Sequence, residues 1–62
     1  MTQATFTRLL ETLLSTAGVA YERRGLLDFV AAAWPLIEAD PDPVKWAEAF
    51  AETLAREPAI AP

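Results

Sequence analysis

The sequence predicts an all-α fold, a small three-helix bundle. Two observations lead there. Apolar residues recur at three- and four-residue spacing along the chain, the period of one buried helical stripe. The breaks in that pattern fall at Gly18 and at Asp40-Pro41-Asp42-Pro43, which divide 62 residues into three helical lengths. No internal repeat, low-complexity tract or linker interrupts this plan, so residues 1–56 read as one domain.

The first helix is predicted over 3–17. Phe6, Leu9, Leu10, Leu13, Leu14 and Ala17 follow the 3,4 pattern. Thr2 suits the N-cap, where its hydroxyl accepts from a free N–H of the first turn. Gly18 suits the position after the C-cap, because it takes positive φ without a Cβ penalty. Val19 would follow it and touch Leu14.

The second helix is predicted over 21–34, with a start at about residue 20–22 favoured over one near Gly25. Its stripe is Leu26, Leu27, Val30, Ala33, Trp34 and Ile37, widened by Phe29. Gly25 inside the helix costs about 1 kcal/mol relative to alanine, and one use for it would be close approach of a neighbouring backbone. Pro35 cannot donate to the Ala31 carbonyl and biases Trp34 away from the helical region. A break or kink is expected there, with a short further turn to residue 39. The third helix is predicted over 43–56, with Asp42 as N-cap and Pro43 at the first helical position. Its inner face is Val44, Ala47, Phe50, Ala51 and Leu54, and Glu52 and Arg56 are ordered for an i,i+4 pair. Ala31–Ala33 with Ala47, Ala49 and Ala51 would let the second and third helices approach closely. Residues 57–62, with two prolines, read as a flexible C-terminal tail.

A chain this short buries only about 60% of its unfolded surface. With no Cys and no His, it has no disulfide or thiolate-metal staple, which leaves tight packing or oligomerisation as sources of stability. The net charge of −4 is uneven: residues 1–25 carry three Arg against two Glu, whereas residues 26–62 carry two basic residues against seven acids. That balance argues against a nucleic-acid footprint, and Arg23-Arg24 beside Tyr21 reads as a solvated helix start or an ion pair with Glu22. No apolar run approaches the length of a membrane span, and the amphipathic N-terminus lacks a basic leader, so a soluble, cytoplasmic protein is expected.

The chain has little for catalysis. Ser15 has no evident base near it in sequence, and two glycines make no phosphate-binding loop. No catalytic residue, cofactor, metal or small-molecule substrate is assigned. Glu38, Asp40 and Asp42 would make at most a weak hard-cation site, without the glycine and distal Glu of an EF-hand loop, and capping chemistry explains them better. The aromatic load is the more informative feature. Trp34 and Trp46 default to the core, yet one small bundle must also house three Phe and one Tyr, and indoles mark interface hot spots. Tyr21, Phe29, Trp34, Trp46 and Phe50 are therefore the candidate partner-binding residues.

The run Leu27, Phe29, Val30, Ala33, Trp34, Pro35, Ile37, Glu38, followed by Trp46 and Leu54, resembles the N-terminal helical segment of phage terminase large subunits. The resemblance covers about residues 26–54 and rests on Trp34-Pro35 with Trp46. That family usually has a His after the second Trp, where this chain has Ala47. The ATPase loop, metal ligands and nuclease carboxylates have no counterpart here, so no catalytic residue carries across. The resemblance implies a packing element or a phage- or mobile-element-associated origin, not a DNA-packaging motor.

The reading that follows is a non-enzymatic protein–protein interaction or oligomerisation module, an adaptor or a homodimer. The alternatives are a small nucleic-acid-associated regulator and an acidic inhibitor or antitoxin of a basic partner.

Overall fold

A computed structural model describes residues 1–56, and the tail expected at 57–62 lies outside the described residues. Three α-helices follow one another: α1 (Gln3–Thr16), α2 (Arg23–Ala39) and α3 (Pro43–Arg56). Among the described residues no helix is long and apolar enough to cross a membrane. The core is contributed by all three helices: Phe6, Leu10 and Leu14 from α1, Leu26, Val30 and Ile37 from α2, and Ala47 and Ala51 from α3.

Both ends of α1 close as the sequence predicts. Thr2 accepts from the Thr5 amide at 3.1 Å. Gly18 adopts φ 72°. Its amide donates to the Ser15 carbonyl at 3.1 Å, and the Val19 amide donates to the Leu14 carbonyl at 2.9 Å. This is the paired 6→1 and 5→2 closure of a Schellman motif, and Val19 packs against the core beside it. A Cβ at Gly18 would meet nothing within 4 Å among the described residues, so the penalty there is conformational. Gly18→Ala is expected to cost about 1–2 kcal/mol, read as a Tm lowered by about 4–8 °C per kcal/mol in a domain of this size.

The second helix begins later than expected and ends at residue 39, where the further turn was expected to end. Its first residue is Arg23, with Glu22 in extended conformation before it and no side-chain cap. The helix does not stop at Pro35. Residues Leu36 to Ala39 continue the same element, and the Asp40 amide closes it on the Ile37 carbonyl at 3.1 Å. Pro35 is exposed, and so is Ala31, whose carbonyl the proline leaves without a donor, so water can satisfy it. Trp34 and Ile37 on either side of the proline pack into or against the core, and their burial holds the helix through it.

Three packing expectations are corrected. Ala17, Leu27 and Val44, read as inward-facing, are exposed: Ala17 is the C-cap beyond the last residue of α1, and Leu27 and Val44 stand at the margin of their helices' buried arcs. The intimate helix pair is α1 with α3, while α2 and α3 pack least extensively. Ala47 and Ala51 are buried, but Ala31, Ala32 and Ala49 face solvent, so the alanines do not zip α2 to α3. Gly25 serves no close backbone approach among the described residues either: the atom near an added Cβ there would be Glu22 Oε1 at 3.5 Å.

Candidate functional site

An aromatic chain runs through the bundle, with Phe50 at its centre. Phe50 meets Phe29 at 4.8 Å, Trp46 at 5.8 Å and Phe6 at 6.4 Å between ring centroids, each edge-on. Phe6 in turn meets Trp34 at 5.8 Å. Edge-to-face contacts suit the ring quadrupoles and add about 0.5–1.5 kcal/mol per pair beyond area burial. The cluster is buried at Phe6, half-buried at Trp34, Trp46 and Phe50, and open at Phe29, which is 46% exposed.

Beside Phe29 lies an apolar groove of about 640 Å³. Leu26 and Phe29 of α2, Phe50 and Leu54 of α3, and Val19 and Tyr21 of the α1–α2 loop line it. It lies between α2 and α3, the two helices that pack least extensively on each other.

Two carboxylates hold the loops that join the helices. Glu11 Oε2 accepts from the Tyr21 hydroxyl at 3.2 Å and from Arg23 Nε at 3.1 Å, tying the α1–α2 loop to α1. Arg23 therefore pairs with Glu11, not with Glu22 as the sequence suggested. Removal from water, then the Glu11 charge and hydrogen bond, raise the Tyr21 phenol above its ordinary pKa, with Arg23 opposing. At the α2–α3 turn, Asp40 Oδ1 accepts from the Asp42 amide at 2.8 Å and Asp40 Oδ2 from the Trp46 indole at 3.0 Å. The amide bond and then the indole bond hold the Asp40 carboxyl below its ordinary range, helped by Lys45 and opposed by desolvation.

The sign of the Asp40 effect follows. Its folded pKa lies below the unfolded value of 3.8, so its stabilisation is present above about pH 4 and is lost as pH falls through the folded pKa. Asp40→Asn is expected to destabilise the protein at pH 7, and the difference from wild type should shrink below pH 4. Urea denaturation followed by tryptophan fluorescence at both pH values measures it. A pH-independent difference would remove the carboxylate's charge from the explanation.

The five residues singled out from the sequence divide into two groups. Phe29 and Tyr21 line the open groove, and Phe50 forms part of its wall. Trp34 and Trp46 are half-buried members of the packing, the latter bound through its indole to Asp40. Sequence reasoning missed Leu36, at 65% the most exposed large hydrophobic side chain among the described residues. The available signal was its spacing, seven residues beyond Phe29 and so on the same side of α2. Among the described residues no three His, Cys, Asp or Glu side chains come together as a metal site. No protein-family model, curated protein or solved structure matches the chain.

Proposed function

We propose that this chain is a non-catalytic helical module that binds another polypeptide through the apolar face of α2 and the groove α2 forms with α3. The observation that carries this reading is the open groove with Phe29 at its lip. A bundle with a small core gains by covering such a surface, and rigid aromatic side chains supply contact area at low entropic cost. The engagement of Arg23 by Glu11 further weakens the nucleic-acid alternative, since it leaves Arg24 as the only uncommitted member of the basic pair. On this reading the stretch that resembles the terminase segment is a packing and docking element.

The test compares wild type with Phe29→Ser, for self-association and for capture of a partner from extract of the native host. The expected result is an association that wild type makes and the variant loses, with unchanged helical circular dichroism. Absence of any association dependent on Phe29 would sink the reading.

A further inference from the structure

The outward side of α2 carries a second apolar stripe besides the one that faces the core. Gly25, Phe29, Ala32 and Leu36 follow one another at spacings of four, three and four, so they share a face. All four are exposed, Phe29 at 46% and Leu36 at 65%. The stripe alternates none, large, small, large, and it carries no charge. Among the described residues Gly25 has no packing reason, since a side chain there would find the tip of Glu22 and nothing else.

From this face we infer that α2 pairs antiparallel with α2 of a second copy of the chain, about a two-fold axis between Val30 and Ala31. This deepens the interaction-module reading and rests on it. In that register Leu36 of each copy lies over Gly25 of the other, at the mouth of the groove, and Phe29 lies over Ala32. Large side chains meet small ones in both directions, as a two-fold interface requires.

Charge selects the antiparallel direction. The first turn of α2 has Arg23 and Arg24 and no acid, and its last turn has no base and leads through Glu38 to Asp40 and Asp42. These charges oppose the helix's own dipole. Antiparallel pairing sets the basic end of each α2 beside the acidic end of the other, whereas parallel pairing would set like against like. Arg24 makes no ion pair among the described residues. In this register Arg23 stands opposite Glu38 of the other copy and Arg24 opposite Ile37, so the charged ends of the two helices meet beside the stripe rather than as a residue pair across it. The area is also within reach. A specific interface clears about 1,000 Å² in total, about 500 Å² per copy, which is about one ninth of the chain's 4338 Å² surface. The 17-residue α2 offers a seam about 25 Å long, flanked by the groove.

Sedimentation over concentrations up to about 1 mM is expected to show twice the 6.8 kDa chain mass at the upper end. Leu36→Glu and Gly25→Leu, both at exposed positions, should each weaken association by about tenfold or more with unchanged circular dichroism. Because the chain has no cysteine, Gly25→Cys mixed with Leu36→Cys should form a disulfide between copies that neither variant forms alone. A monomer at all concentrations, a dimer indifferent to Leu36→Glu, or single variants that each cross-link to themselves would overturn the inference. A monomer that captures another protein through Phe29 would overturn it while leaving the module reading intact. Loss of both associations would remove that reading as well.

Discussion

Replacing Phe6 by alanine is expected to leave little folded protein at 25 °C. Phe6 is fully buried and is the largest of the fully buried side chains. Its ring meets Trp34 on α2 and Phe50 on α3, so one side chain joins all three helices. A buried Phe→Ala change costs about 3–5 kcal/mol, comparable with the whole stability of a small domain, about 5 kcal/mol or less. The cavity would lie between helices that have few other large residues in common. Denaturant titration followed by circular dichroism measures the loss. A variant with a midpoint close to that of wild type would show that Trp34 and Phe50 hold the helices without Phe6. The neighbouring exposed change Phe29→Ala should cost far less, because nearly half of that side chain already meets water.

Ala47→Leu is expected to destabilise by about 1–3 kcal/mol through overpacking. Ala47 is fully buried, and α3 packs most extensively on α1. A larger side chain at that site must push the two helices apart or leave its preferred rotamer. The same substitution at exposed Ala49 should be within about 0.5 kcal/mol of wild type. Thermal melts of the two variants make the comparison. Equal effects would contradict the placement of α3 against α1, because the two alanines differ in little except the side of the helix they occupy.

The residues that announce themselves locally were legible. Gly18 ends α1 with positive φ because only a residue without Cβ does so without penalty. Thr2 accepts from the first turn, and Arg56 Nη2 and Glu52 Oε1 meet at 2.6 Å across one turn of α3, on an exposed face. Each rests on atoms within four residues of one another. Pro35 was expected to break or kink α2, and the helix stays continuous through it because its local effect is real but is outweighed. Its free carbonyl partner lies on the wet side of α2, and the core holds the residues on both sides of it.

The candidate site was legible only in part. Phe29 and Tyr21 stood out as more aromatic surface than one bundle encloses, and the structure puts both at the groove. The two indoles, whose default was the core, are half-buried packing residues, because Phe6, Phe50 and Asp40 supply them with partners. Asp40 itself looked like one of several turn acids. Its role depends on Trp46, six residues on, which the turn brings within hydrogen-bond distance.

The sequence by itself determined that the chain is helical, that there are three helices, and where two of them cap or turn. Period, glycine conformation and proline chemistry act over a few residues, so spacing alone reveals them. Only the tertiary structure decided that α1 packs on α3, that α2 runs through Pro35, and that the outer face of α2 stays open. Those outcomes depend on which of several apolar arcs finds a partner. A helix with apolar residues on two sides does not declare which side is the core. Burial of Val30 and Ile37 against α1 and α3 settles it, and Phe29 and Leu36 are left to face outward.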